Sequence, residues 1–277
     1  TIRKGVEFLV ATPGRLLDLV EQKCLNFQSV QALVLDEADR MLDMGFIPDV
    51  TRIINLLPKD TRQSLLFSAT FSNEIKKLAD TMLKSPELVE VAKRNTVSET
   101  ITHRVHPVSA DAKRALLTRL LKSDEYDQVL VFTRTKQETG KLARELAKSG
   151  IAADAIHGDK SQSERLKALE AFKDGSVKVL VATDVAARGL DIDELPHVIN
   201  FELPHTPEDY VHRIGRTGRA GKKGTAVSLV SADEVQYLVD IEKLIKIQVE
   251  QVVIPGYEPE YDYEYPPTGR KKHHRRP

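Results

Sequence analysis

Ala32-Leu33-Val34-Leu35-Asp36-Glu37-Ala38-Asp39 is a short apolar run that ends abruptly in carboxylates. Four consecutive apolar residues without alternation read as a buried strand. Two adjacent carboxylates at its carboxyl end suit a nucleotide-phosphate site. One can hold Mg²⁺, usually through waters. The next can orient or deprotonate an attacking water. An acidic loop at a helix start would carry the same letters, because Asp and Glu are common there. The four letters alone leave both readings open.

The same construction recurs along the chain. Phe8–Ala11, Ser64–Phe67, Val129–Phe132, Val177–Ala182, Val198–Phe201 and Thr225–Val230 are further candidate strands. Amphipathic segments separate them, which predicts βαβ units on a parallel sheet and an α/β fold class. Ile75, Leu78, Ala79, Met82 and Leu83 form one helical stripe, and Val235, Leu238, Val239 and Ile245 another; both read as core packing. Thr135 with Glu138, Ser161 with Glu164, and Ser231 with Glu234 fit capping boxes. Thr206 before Pro207 places a cap ahead of a first-turn proline.

Polar composition at Lys93–Thr100 marks a linker between two α/β series, and the character changes again after Pro255. The predicted organisation is a first domain over 1–94, a linker over 95–100, a second domain over 101–255 and a tail over 256–277. The tail is acidic and tyrosine-rich at Tyr257–Tyr265, then basic through Arg270, Lys271, Lys272, Arg275 and Arg276. It offers little apolar surface to bury, so disorder is expected there.

The 277 residues suffice for two domains, and 41% hydrophobic residues suffice to fill their cores. The 41 basic residues balance the 41 acidic ones, so any nucleic-acid surface must be local. Cys24 is the single cysteine, which excludes an internal disulfide and fits a reducing, cytoplasmic compartment. No apolar run approaches the roughly 20 residues of a membrane helix. The chain begins at Thr1 rather than Met, and an upstream natural start is expected.

Three more motifs carry chemistry. Ser68-Ala69-Thr70 puts two hydroxyls after the Leu65-Leu66-Phe67 strand, where a simple helix cap is the plain alternative. Asp184-Val185-Ala186-Ala187-Arg188-Gly189-Leu190-Asp191 lines another strand end, too polar as a whole for an ordinary charged loop. His212-Arg213-Ile214-Gly215-Arg216-Thr217-Gly218-Arg219 spaces three arginines by three, with glycines that permit close backbone approach. That combination suits anion binding, and a basic nucleic-acid patch is its competitor.

Taken in order, Thr12-Pro13-Gly14-Arg15, Asp-Glu-Ala-Asp, Ser-Ala-Thr, Val131-Phe132-Thr133, Asp184…Asp191 and His212…Arg219 resemble the DEAD-box RNA helicases over Gly5 to about Pro255. The Ile254-Pro255-Gly256-Tyr257 exit resembles the bacterial RhlE-type branch. The resemblance implies two RecA-like parallel-sheet domains, the first incomplete and the second complete. It implies an ATP-driven enzyme that melts short RNA duplexes locally, working with ATP and Mg²⁺ as a monomer. By the same resemblance Asp36 holds Mg²⁺ through water and Glu37 positions the hydrolytic water. Asp39, Ser68, Thr70 and His212 couple hydrolysis to domain closure. Arg216 and Arg219 act as arginine fingers, and Asp191 approaches the nucleotide ribose. Thr12, Gly14, Arg15, Thr133, Arg165 and Thr183 contact RNA phosphates and sugars, which carries little sequence information. Ribosome-assembly or RNA-decay proteins are partners by analogy only.

One element of the family pattern is missing. A G-x-x-x-x-G-K-[ST] loop, whose amides and lysine cradle phosphates, does not occur in the chain; Gly218–Thr225 lacks its spacing. Truncation is the expected reason, because everything downstream is intact, and the chain alone is expected not to hydrolyse ATP. A decayed, non-enzymatic RNA-binding scaffold is the second reading. It would be expected to have damaged Asp36, Glu37, Arg216 or Arg219, and none is damaged. A DNA translocase of the wider superfamily is the third, and Asp-Glu-Ala-Asp with Ser-Ala-Thr argues for RNA instead.

Overall fold

The structure is a computed structural model that describes residues 5–90, 100–188, 190, 192, 194–218 and 221–259. The chain divides into two compact units, Thr1–Arg94 and Asn95–Pro277. Residues 95–99 of the expected linker and 260–277 of the expected tail lie outside the described residues.

In the first unit the order is α1 (Pro13–Glu21), β1 (Ala32–Leu35), α2 (Ala38–Asp43), α3 (Ile47–Leu56), β2 (Gln63–Leu66) and α4 (Asn73–Met82). β1 and β2 pair in parallel, Ala32 opposite Gln63 through Leu35 opposite Leu66. Leu33, Leu35 and Leu66 pack on Val50, Ile54, Ile75, Leu78 and Met82, so one face of the pair is covered by α3 and α4. The other face is open: Val34 is 57% exposed and Phe67 53%. The α4 stripe is buried as its spacing predicts, and Ser72 Oγ caps the helix by accepting from the Ile75 amide at 3.3 Å. The candidate strand Phe8–Ala11 is not one. Its residues are extended but exposed, and a strand needs a neighbour to satisfy its amides and carbonyls.

The second unit runs β3 (Ile101–Pro107), α5 (Lys113–Leu121), β4 (Val129–Thr133), α6 (Lys136–Lys148), β5 (Ala153–Ile156), α7 (Gln162–Lys173), β6 (Val179–Thr183), α8 (Asp184–Ala187), β7 (His197–Asn200), α9 (Pro207–Ile214), β8 (Gly224–Val230), α10 (Val235–Ile245) and β9 (Glu250–Gln251). Its seven strands lie in the order β5-β6-β4-β7-β8-β3-β9, and every pairing is parallel. β4 and β6 are buried at every residue. Because side chains alternate across a strand, Val129, Val131, Val179 and Val181 meet α5 and α6, while Leu130, Phe132, Leu180 and Ala182 meet α7. The chain lays β5 and β6 on one side of β4, then crosses to set β7 and β8 on the other. Ligands of such sheets bind beyond the carboxyl ends of the strands at this reversal.

Three strands escaped the apolar pattern. β3 carries His103 and His106 on its buried side, and β5 carries Asp154. β9 is two residues long and is held as the outer strand beside β3. Thr100 belongs to the second unit's packing rather than to a free linker: its hydroxyl donates to Gly218 O at 2.6 Å, and its carbonyl accepts from the Gly224 amide. Packing also continues past Pro255, where Tyr257 lies against the core and under the Arg119 guanidinium. Ser161 and Glu164 form a reciprocal capping box at α7. Ser231 and Glu234 form one too, but it opens a 3₁₀ turn at Ala232–Glu234.

Candidate functional site

In the first unit, β1 delivers Asp36 and Glu37 to its carboxyl end. Both are exposed, and neither has a basic partner among the described residues. Asp36 Oδ1 accepts from the Glu37 amide at 2.9 Å. Glu37 sits in the left-handed region at φ 50°, ψ 49°, a conformation that costs a β-carbon-bearing residue about 1–3 kcal/mol and collects at ligand sites. Immediately beyond, Asp39 is buried. Its Oδ2 accepts from the Thr70 amide at 3.0 Å and its Oδ1 from the Arg40 amide at 3.0 Å. The Ala38 amide donates to Phe67 O at 3.0 Å. The two motifs are thus bonded to each other, and what ties them is the Thr70 backbone rather than its hydroxyl. Ser68 Oγ is buried and lacks a hydrogen-bond partner among the described residues.

Thr12 occupies the N-cap position of α1 without a side-chain cap bond, and Pro13 is the first helical residue. Gly14 and Arg15 are exposed, and Arg15 forms a helical pair with Asp18. The early amides of a helix lack partners within it and favour anions.

In the second unit the carboxyl edge is built around Arg213. This side chain is 1% exposed. Its Nε and Nη2 donate to the two oxygens of Asp184 at 2.6 and 2.8 Å, and its Nη1 to Asn200 Oδ1 at 3.0 Å and Glu202 O at 2.6 Å. The guanidinium also lies 5.1 Å from the Phe132 ring centre. Such a fork fixes α9 against the ends of β4, β6 and β7. Arg216 falls in the turn after α9, half-buried, with Nη1 donating to Leu190 O at 3.0 Å. His212 is half-buried, 4.0 Å from Asp209, which also pairs with Arg188. Gly218 has φ +67°, and a β-carbon there would come within 2.4 Å of Ile101 and 2.9 Å of Thr100. Glycine at this position serves the seam with β3.

The expected RNA contacts of this unit divide. Arg165 is half-buried at the edge, donating to Ala186 O at 3.3 Å. Thr183 spends its hydroxyl on the Ala186 amide at 3.4 Å. Thr133 is a correction: its side chain is fully buried and its hydroxyl bonds Thr139 Oγ1 at 2.6 Å. In this conformation it shapes the start of α6 and offers a ligand no side-chain surface. Asp191 and Arg219 lie outside the described residues.

Comparison with known proteins agrees with this geometry. A profile described as DEAD/DEAH box helicase matches residues 1–78, and one described as Helicase conserved C-terminal domain matches 112–221. The DEAD-box protein SrmB of E. coli, solved bound to the regulator of ribonuclease activity A, is 40% identical with a TM-score of 0.56. That match covers 58% of this chain and 95% of the solved one. The chain belongs to the DEAD-box RNA helicase family. The ATP-dependent RNA helicase RhlB of Pseudomonas syringae pv. tomato is 45% identical over 238 residues, 86% of this chain and 60% of the relative. S. cerevisiae Dbp5, solved bound to RNA and ADP BeF3, gives a TM-score of 0.79 at 34% identity, covering 88% of this chain and 65% of that one. The chain therefore spans about 60% of its RhlB relative.

Within this family assignment, the sequence reading passed over Arg213, Arg134, Glu202, Glu234 and Lys113. Regular spacing made Arg213 look equivalent to Arg216, yet one sits on α9 facing inward and the other in the following turn. Lys113 and Glu234 lie in segments that read as solvated, although the structure buries both. Burial lowers the Lys113 pKa, and the Glu234 carboxylate opposes that shift. Among the described residues no cluster of three or more His, Cys, Asp or Glu forms a metal cage, and no helix is long and apolar enough to cross a membrane.

Proposed function

We propose that the chain works as the greater part of an ATP-dependent RNA helicase, coupling ATP binding and hydrolysis to local unwinding of RNA duplexes. The observation that carries this reading is the bond from the Thr70 amide to Asp39, which joins Ser-Ala-Thr to a strand end presenting two exposed, unpaired carboxylates. A hydrolytic site needs free oxygens facing the nucleotide and a rigid link from them to a second element. A decayed scaffold has no use for a strained Glu37.

The first carboxylate, Asp36, suits water-mediated Mg²⁺, which takes few protein ligands and keeps several waters. When bound, the metal would neutralise phosphate charge. Glu37 orients the attacking water. Arg216 and Arg219 offer guanidinium charge to the γ-phosphate, a contribution worth roughly 10³–10⁵ in rate in phosphoryl transfer. Asp191 approaches the ribose. Ser68, Thr70, Asp39 and His212 couple hydrolysis to RNA binding. Thr12, Gly14, Arg15, Arg165 and Thr183 hold RNA phosphates and sugars, with Thr133 acting beneath them. A cytoplasmic monomer in the RhlE-type branch, serving RNA decay or ribosome assembly, is the finer form of this reading, and the Ile254–Tyr257 exit supports the branch.

Without a G-x-x-x-x-G-K-[ST] loop among its 277 residues, the chain has no amide cradle for a triphosphate, so ATP turnover by it alone is expected to be undetectable. RNA-stimulated turnover that Glu37→Gln abolishes would overturn that expectation. Fusing the phosphate-loop segment of the Pseudomonas relative ahead of Thr1 should confer RNA-stimulated turnover sensitive to Glu37→Gln. A folded fusion that binds RNA but never hydrolyses ATP would favour the scaffold reading.

A further inference from the structure

Beneath the carboxyl edge of the second sheet lies a charged cluster with no role in the reading above. Glu234 is fully buried and Lys113 is 5% exposed, and the two form a close ion pair. The Lys113 ammonium also donates to Phe201 O at 3.0 Å. Glu234 Oε1 accepts from the Leu203 amide at 3.0 Å and from Arg134 Nη2 at 3.4 Å. Its Oε2 accepts from the Ser231 amide and hydroxyl, each at 3.2 Å. Arg134 in turn donates its amide to Glu202 Oε2 at 2.8 Å and its Nε to Oε1 at 3.4 Å. The Glu202 carbonyl accepts from Arg213.

These bonds have a common geometry. Arg134 follows β4 directly, Phe201–Leu203 follow β7, Ser231–Glu234 follow β8, and Lys113 opens the helix that follows β3. One carboxylate therefore gathers the ends of four parallel strands. A buried ion pair is a poor source of net stability, since a well-packed apolar pair of equal volume is often as stable. What it supplies is directionality: five donors converge on two oxygens and admit one arrangement of the strand ends. The Arg134 bonds are the long ones and lie at the exposed side of the cluster.

We propose that Glu234, held by Lys113, is a positioning residue that sets Arg134 and the 133–135 and 201–203 loops in the arrangement that receives RNA. This rests on the helicase reading, because it assigns RNA to that edge. Glu234 touches no RNA itself; it acts through Arg134 and the strand ends.

The experiment measures binding of a labelled single-stranded RNA of about ten nucleotides to the 277-residue chain by anisotropy at several salt concentrations, with thermal melting alongside. The double variant Lys113→Met, Glu234→Gln removes both buried charges at nearly constant volume. It is expected to melt within a few degrees of the parent and to bind RNA about tenfold more weakly with an unchanged salt slope. Direct phosphate contacts would lower the slope, by roughly 0.7 per contact for single strands. Arg134→Lys keeps the exposed charge but cannot bridge both carboxylates. It should fold normally and bind about threefold more weakly, again with the slope intact, and it carries the test alone if the double variant does not fold. Parental affinity in a folded double variant, or in Arg134→Lys, would overturn the proposal, as would a loss accompanied by a flatter salt slope. A parent chain with no measurable RNA binding would instead sink the helicase reading itself.

Discussion

β1 in the first unit and β6 in the second are close to the same strand on paper: Ala-Leu-Val-Leu before Asp36, and Val-Leu-Val-Ala-Thr before Asp184. Each ends in an acidic residue at its carboxyl edge. In the structure they differ in cover. β6 lies inside seven strands with helices on both faces and is buried throughout. β1 has one partner strand and one covered face, and Val34 stands in the open. The acidic residues differ accordingly. Asp184 is locked by Arg213, whereas Asp36 and Glu37 are unpaired and exposed. An unalternating apolar run states that a strand is built for cover on both faces; it does not state that the cover is within reach.

Separating the units tests this contrast most severely. A piece from Val97 to Pro259 should melt cooperatively by itself, whereas Thr1–Arg94, with its open sheet face and unpaired strand edge, should aggregate or melt without cooperativity. A cooperatively melting Thr1–Arg94 would break the comparison. Next in size is the fate of the two acidic sites. Asp184→Ala leaves the Arg213 charge buried without its partner, which costs about 3–5 kcal/mol in denaturant unfolding. Asp36→Asn, at an exposed site, should fall within about 0.5 kcal/mol of the parent. Comparable losses at both sites would show that Asp36 is structural after all.

The apolar residues sharpen the same point. Phe132→Ala should cost about 3–5 kcal/mol through its cavity and the loss of the face under Arg213, while Val34→Ala should be nearly neutral. A cost above about 1 kcal/mol at Val34 would mean that its face is covered in solution. The smallest effect is a pH dependence confined to the second unit. Burial lowers the His103 pKa to about 4, and its Nδ1 bonds the Tyr210 hydroxyl at 2.8 Å. The unfolded chain therefore binds the proton that the folded one refuses between about pH 6.5 and 4. The stability His103 contributes is complete above its unfolded pKa and is lost as pH falls through that window. From pH 7 to pH 5 the loss is about 2 kcal/mol. Burial shifts His106 and His197 in the same direction, so His103→Gln should flatten the acid side of the stability profile without abolishing its slope. An unaltered slope in that variant would show that His103 is hydrated.

Much of the second unit could be read directly. β4, β6, β7 and β8 are apolar runs, and helix starts such as Thr135 and Ser161 announce themselves, because burial on both faces and capping leave local marks. β3 could not be read so, since Ile-Thr-His-Arg-Val-His-Pro looks polar until Tyr210 and the Val252 carbonyl engage its two buried histidines. The failed strand at Phe8–Ala11 is the converse case, apolar residues without a ladder to join.

The sequence by itself determined the α/β class, the family and the candidate residues at the strand ends, because motif spelling and apolar runs are properties of neighbours along the chain. Only the tertiary structure decided which polar groups are tools and which are fasteners. Arg213 and Arg216 differ by one helical turn, Thr133 and Thr12 by burial, and Asp36 and Asp39 by three residues. Nothing local distinguishes the members of each pair. What does is desolvation: a polar group taken out of water must find its partners inside the fold. Arg213, Thr133 and Asp39 have found theirs, and Asp36 and Thr12 face solvent.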